Sequence, residues 1–321
     1  MRKFGMLKAL ISLLCVILLA ALITGCARKS VTTEAGKPRI ALIMKSLANE
    51  FFKTMEDGAK AHQKRHASEY ELIANGIKDE RDVARQIDLV EQMSAQRVNA
   101  IVIAPADSKA MVSVCKKALD AGIVVVNIDN KFDSSALAEK KVKIPFVGPD
   151  NRKGARLAAE VLVKKLKPGD PVAIVEGAPN AYNAIQRKLG FEDAMKAGGM
   201  KIVTSQTAYW ETDKANQVAS GIITEHPDVK GILCANDNMA LGAVAAVKAA
   251  GKSGKILIVG FDNISAVQEL IKNGAILSTI DQHADKLAIY GIEYALDILR
   301  TKKSPADRET PVDLITAETL R

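Results

Sequence analysis

Cysteine, histidine and aromatic residues are all scarce in this chain, and each shortage narrows what it can be. Four cysteines in 321 residues are too few for a disulfide-stapled scaffold. Two, Cys15 and Cys26, lie near the start, while Cys115 and Cys234 sit in apolar stretches where buried free thiols are the expected state. The four histidines (His62, His66, His226 and His283) form no metal-ligand cluster. His62 and His66 stand four apart, but Gln63-Lys64-Arg65 between them offers no acid to act as a general base, so no metal and no cofactor is expected. Aromatics are only 4% of the residues, with a single tryptophan, so those falling near polar clusters become candidates for a specific task. A one-sided charge is also lacking: the formal net charge of +8 drops to +5 once Arg2, Lys3 and Lys8 are set aside as part of a leader. Basic and acidic residues alternate along helical stretches, as in Lys164, Lys165 and Lys167 near Glu160 and Asp170, which marks solvated faces and not a nucleic-acid-binding stripe. What remains is ordinary globular composition, 48% hydrophobic and 26% charged, enough for two domains with separate cores.

The first residues point to export. Basic residues precede an uncharged apolar run over 9–23, shorter than the ~20 residues of a comfortable membrane span and therefore read as a signal-peptide core. The run closes on Ile23-Thr24-Gly25-Cys26, which resembles the bacterial lipobox. That resemblance implies a signal peptide over 1–25, a lipid on the thiol of Cys26, and anchoring to the membrane outside the cytoplasm through buried acyl chains. Residues 26–37 are small, polar and charged, as suits a tether.

Beyond that point short β-branched runs alternate with amphipathic stretches. Strands are predicted over 40–44, 100–103, 124–128, 145–148, 172–176, 231–234, 256–260 and 276–280. Helices over 108–121, 182–197 and 238–250 end where glycines follow, at Gly122, at Gly198-Gly199 and at Gly251. Such alternation predicts an α/β protein with parallel sheets covered on both faces. The order also echoes itself. Asn99-Ala-Ile-Val-Ile-Ala-Pro-Ala-Asp107 followed by Gly122-Ile-Val-Val-Val-Asn-Ile-Asp129 is matched by Lys230-Gly-Ile-Leu-Cys-Ala-Asn236-Asp237 followed by Lys255-Ile-Leu-Ile-Val-Gly-Phe-Asp262. Two lobes of one plan account for the echo, and both halves place polar residues at strand C-termini, where open α/β sheets bind ligands. The Gly-Lys-Ser at 251–253 is not a phosphate-binding loop, because Ala246 stands where its first glycine belongs and a strand follows where its helix should begin.

Several words, in order, now carry a resemblance: Ala41-Leu-Ile-Met-Lys-Ser-Leu-Ala-Asn49-Glu-Phe-Phe52, Asn127-Ile-Asp129, Val147-Gly-Pro-Asp-Asn151, Arg187-Lys-Leu-Gly-Phe191, Cys234-Ala-Asn-Asp-Asn-Met-Ala-Leu-Gly242, Val259-Gly-Phe-Asp262 and Ile280-Asp-Gln282. Over nearly the whole mature chain the sequence resembles the ribose/allose/galactose group of periplasmic sugar-binding proteins. The resemblance implies a type I periplasmic binding protein fold, two doubly wound parallel-sheet lobes joined by a three-strand hinge. The lobes would comprise 38–149 plus 282–313 and 150–281 plus 314–321, with crossings near Pro149-Asp150, Asp281-Gln282 and Asp313-Leu314. Lactose-repressor-type regulators share this fold, but their N-terminal helix-turn-helix is replaced here by the leader. The implied function is capture of a monosaccharide or polyol, by a monomer, for delivery to an ABC permease with a separate ATPase; docking on a signalling receptor is the alternative.

A free sugar is uncharged and ringed with hydroxyls, so its site needs side chains that make two hydrogen bonds each. By the resemblance these are Asp129, Asp262, Arg187, Asn49, Asn236 and Gln282, with Lys45 and Asn130 in place of residues of the ribose branch. Lys45 brings the site closer to the allose-type branch, which has lysine there. Phe51, Phe52 and Trp210 are candidate stacking surfaces for sugar C–H faces. Helical spacing groups Phe52 with Met55 and Ala59, so one of the two phenylalanines is expected in the core and the other in the cleft. Asn49, before Glu50 and an apolar helix, is also a good N-cap. No catalysis is expected, since a glycosidase would need its carboxylates at a defined separation across a scissile bond.

Overall fold

The computed structural model describes residues 36–320, so the expected leader, Cys26 and most of the tether lie outside the described residues. Strands and helices alternate through β1 (Arg39–Ser46), α1 (Glu50–Arg65), β2 (Glu71–Ile77), α2 (Val83–Ala95), β3 (Ala100–Ile103), α3 (Ala110–Asp120), β4 (Val124–Ile128), α4 (Ser134–Glu139) and β5 (Phe146–Pro149). They continue with α5 (Asn151–Val163), β6 (Pro171–Glu176), α6 (Tyr182–Ala197), β7 (Lys201–Thr207), α7 (Thr212–Glu225), β8 (Gly231–Cys234), α8 (Asp237–Ala249), β9 (Leu257–Val259) and α9 (Ser265–Lys272). The end of the chain contributes β10 (Thr279–Asp281), α10 (Ala284–Thr301), β11 (Arg308–Thr310) and β12 (Asp313–Ile315).

Two parallel sheets result, ordered β11-β5-β4-β3-β1-β2 and β7-β6-β8-β9, with β10 and β12 as a separate antiparallel pair. Each parallel sheet is the floor of one α/β lobe. In the first, Ile40, Leu42 and Met44 of β1 face one layer of core while Ala41 and Ile43 face the other, the period-two alternation of a strand buried on both sides. Helices α1 and α10 cover the first of these faces and α2 and α3 the second. After Pro149 the chain passes from β5 into α5, which packs against α6 beside the second sheet. It returns through β10 to α10, which lies on β3 and β4, and passes a third time between β11 and β12.

Strands β2 and β7 were not expected from the sequence. Both are edge strands, and their residues are mostly half-exposed, so neither shows the continuous apolar run that marks a central strand. The strand expected over 276–280 is only Thr279–Asp281, preceded by a single bridge from Ser278 to Val259. Cys115 and Cys234 are buried free thiols, and burial pushes the Cys115 thiol up to about 12.

Helices α5 and α6 meet through small residues. Ala155, Ala158, Ala159 and Leu162 turn one buried face of α5 inward, and Gly190 of α6 lies so close that a Cβ there would enter the carbonyl oxygen of Arg152. A backbone neighbour cannot rotate aside. Gly190→Ala should therefore destabilise the fold by about 1–3 kcal/mol, the usual cost of overpacking, read as a lowered urea midpoint with an unchanged slope.

Candidate functional site

A small cavity lies between the lobes, walled by side chains from the C-terminal ends of strands in both sheets. From the first lobe come Lys45 at the end of β1, Asn49, Phe51 and Phe52 at the start of α1, Glu80 beyond β2, and Asp129 just after β4. The second lobe contributes Asn183 and Arg187 from α6, Trp210 beyond β7, Asn236 before α8, and Asp262 after β9; Gln282 follows β10 on a connection between the lobes. Ten of the eleven residues expected at a ligand site are thus brought together. Asp129 and Asp262 occupy matching places and both have positive φ, 61° and 122°, backbone that L-residues hold only when their surroundings impose it.

The charges in the wall are dry. Arg187 is 2% exposed. Its Nε donates to Asn151 Oδ1 at 2.8 Å and its Nη1 to the Ala235 carbonyl at 2.9 Å and to Asp262 Oδ1 at 3.4 Å. The guanidinium lies 3.7 Å from the centre of the Phe261 ring and 5.6 Å from that of Trp210. Across the cavity the Lys45 ammonium is 3.8 Å from Asp129 and 4.0 Å from Glu80, too far for strong hydrogen bonds. Burial raises the carboxyls of Asp129, Glu80 and Asp262 above the usual carboxylate range, against the opposing pull of Lys45 on the first two and of Arg187 on the third. When ionised, the three carboxylates outnumber the two cations, so a bound anion would add to the repulsion, and a neutral ligand fits.

Three buried wall atoms have no hydrogen bond: Asp129 Oδ2, which has only the distant Lys45 ammonium, Asn183 Oδ1 and Gln282 Oε1. The orientation of Gln282 is set by its Nε2, which donates to Asp262 Oδ1 at 2.7 Å and leaves the carbonyl oxygen free. All three are acceptors. Buried polar atoms left unpaired cost about 1–3 kcal/mol each, so the wall is built for a ligand that brings several O–H or N–H donors.

Two expectations change. Asn130 does not line the cavity: its Nδ2 donates to the Pro105 carbonyl at 2.8 Å, and its Oδ1 accepts from Ser108 Oγ and from the Asn183 backbone N–H, each at 3.2 Å. It follows Asp129 in the chain, but Asp129 lines the cavity while the Asn130 side chain is spent on these three bonds. Phe51 and Phe52, expected to divide between core and cleft, both line the cavity, packed edge to face with centroids 5.1 Å apart. Asn49 serves two tasks, capping α1 through the Phe51 N–H at 3.1 Å and donating to Glu80 at 2.8 Å. Asn236 caps α8 through Met239 N at 2.9 Å.

Glu80 and Asn183 were not singled out in the sequence. Glu80 stands in Lys78-Asp79-Glu80-Arg81-Asp82, which reads as a solvated charge run, and only Asn49 and Lys45 draw it inward. Gly177 is a further requirement, because a Cβ at that position would sit inside the Trp210 ring.

Comparison with known proteins follows the same lines. Residues 40–303 match the family model described as periplasmic binding protein domain. A Pseudomonas aeruginosa protein named D-ribose/D-allose-binding protein is 59% identical over 285 residues, 88% of this chain and 89% of that one. The D-allose-binding periplasmic protein of Escherichia coli is 33% identical over 88% of this chain and 92% of its own length. Among solved structures, an ABC transporter solute-binding protein from Burkholderia multivorans matches with a TM-score of 0.86 at 59% identity, covering 88% of this chain and all of that one. Another, from Actinobacillus succinogenes with bound D-allose, matches with a TM-score of 0.84 at 38% identity over 88% and 99% of the two chains.

Asp237, behind the wall, yields a pH-dependence. It accepts from Thr279 Oγ1 at 2.8 Å and from Ile264 N at 3.1 Å, yet burial pushes its carboxyl up to about 6 from an unfolded value of 3.8. The folded state then holds a proton that the unfolded chain releases first, so Asp237 lowers stability progressively as pH rises between these values. Relative to Asp237→Asn, the wild-type chain should lose about 2 kcal/mol between pH 4 and pH 6.5, measured by urea unfolding across that range.

Proposed function

Since the chain belongs to the periplasmic binding protein family, we propose that it captures a free monosaccharide or related polyol between its lobes and delivers it to an ABC importer. It is a solute-binding protein and not an enzyme. The observation that carries the sugar reading is the set of three unpaired buried acceptors, Asp129 Oδ2, Asn183 Oδ1 and Gln282 Oε1, facing a small cavity with no net positive charge. Vicinal hydroxyls supply donors at that density, whereas a sugar phosphate or acid brings a charge the wall repels. The cavity is small and walled almost entirely by buried side chains, which suits one sugar ring better than a disaccharide.

On this reading Lys45, Asn49, Asp129, Arg187, Asn236, Asp262 and Gln282 hold hydroxyl and ring oxygens, joined by Glu80 and Asn183, while Phe51, Phe52 and Trp210 pack on C–H faces. An aldose of the allose or ribose kind is the ligand favoured by relatives bearing those names and by Lys45. The lobes, 38–149 plus 282–313 and 150–281 plus 314–321, turn about the three connections, and ligand contacts from both sides draw them shut. Outside the cytoplasm a lipid on Cys26 tethers the monomer to the membrane, and the ATPase of the importer is a separate chain.

A thermal-melt screen of residues 27–321 tests the reading. D-Allose or D-ribose at 100 times its dissociation constant should add about 2.7 kcal/mol of stability, while a sugar phosphate or a disaccharide adds none. No shift with any free sugar or polyol, for a folded chain, would remove the proposal. Asp262→Ala should weaken the best sugar by roughly tenfold or more in titration calorimetry, the effect of losing about 1.5–3 kcal/mol of charged hydrogen bonding.

A further inference from the structure

Three long helices of the first lobe are capped by their own lobe. Asn49 caps α1, Asp82 caps α2, and Asp107 Oδ1 accepts from the first N–H groups before and within α3. Two helices of the second lobe differ. The N-cap positions of α6 and α9 are Ala181 and Ile264, whose side chains have no acceptor to offer. Their N–H groups are met instead by the first lobe: Tyr182 N donates to Ser108 Oγ at 2.9 Å, Asn183 N to Asn130 Oδ1 at 3.2 Å, and Ser265 N to Glu50 Oε1 at 2.7 Å. Ser108 lies between β3 and α3, Asn130 follows β4, and Glu50 opens α1, so all three acceptors ride on the first sheet's side of the cleft. The Glu50 carboxylate also stands at two helix N-termini at once, its own and that of α9, each of which favours negative charge.

We propose that Ser108, Asn130 and Glu50 form a latch that sets the open–closed balance without touching the ligand, by capping in trans two helices that cannot cap themselves. Opening the lobes leaves both helix ends to water, and closing restores the caps. Two further bonds of the same seam, Asn180 Nδ2 to Asp107 Oδ2 at 2.8 Å and Ser108 N to the Asn180 carbonyl at 3.1 Å, flank the α6 cap. Asn130 is on this account a positioning residue, holding the backbone of Asn183, whose side chain faces the cavity. The effect on affinity rests on the interlobe binding reading above; the latch itself does not.

Two measurements separate them. Ligand-free amide exchange, followed residue by residue by NMR, needs no sugar: in Ser108→Ala the amide of Ser265, at the other latch, should exchange severalfold faster along with those of Tyr182 and Asn183, because one opening exposes all three. An unchanged Ser265 amide overturns the latch, whatever the protein binds. With the sugar identified by melting, Ser108→Ala and Glu50→Ala should each weaken binding roughly 2- to 30-fold, the range of a lost cap, mainly through faster release. Ala181→Ser supplies the missing cap in cis and distinguishes a latch from mere damage to the fold. It should weaken binding while leaving the ligand-free melting temperature unchanged or higher, and Ser108→Ala should cost less in its presence than alone. Unchanged affinity in Ser108→Ala, or equal losses with and without Ala181→Ser, would show that the caps do not set the balance.

Discussion

Arg187 carries a charge into a place from which water is largely excluded, and the loops around it are arranged to keep it there. Desolvation pulls its guanidinium toward losing its proton, and Asp262, Asp129, Asp237 and Glu80 oppose that pull. The hydrogen bonds it makes are as telling as the charges. By donating to Asn151 at the start of α5 and to the carbonyl of Ala235 beyond β8, it ties the first helix after a lobe crossing to the rim of the second sheet. A rigid planar donor suits this task, since a lysine could reach neither both oxygens nor the two aromatic faces that flank it. Buried ion pairs add little to stability on average, and their use here is to hold a geometry.

That geometry is asymmetric. One wall, around Lys45, is loosely paired, with its ammonium almost 4 Å from each carboxylate and near the rings of Phe52 and Trp210. The opposite wall is tightly bonded through Arg187, Asp262 and Gln282.

Much of this was legible beforehand because it rests on local pattern. Central strands are short apolar runs, and Asp129 and Asp262 stand at the ends of two such runs, so both the sheets and the place of the carboxylates follow from sequence order. Edge strands β2 and β7 escaped because their residues are mostly half-exposed and polar ones interrupt the apolar run. Asn130 was placed in the site by the resemblance, which cannot show that its side chain is taken up by Pro105, Ser108 and the Asn183 backbone. Glu80 and Asn183 carry no local mark at all. One sits in a charge run and the other in the polar first turn of a helix, and only the approach of the other elements makes them wall residues.

The position of Trp210 has a practical side. As the sole tryptophan of the chain, 4% exposed and flanked by the cations of Arg187 and Lys45, it places the protein's whole indole emission at the cavity wall. Any event that shifts those cations or the water near them is reported optically, with no label and no background from elsewhere, which makes the unmodified protein its own sensor.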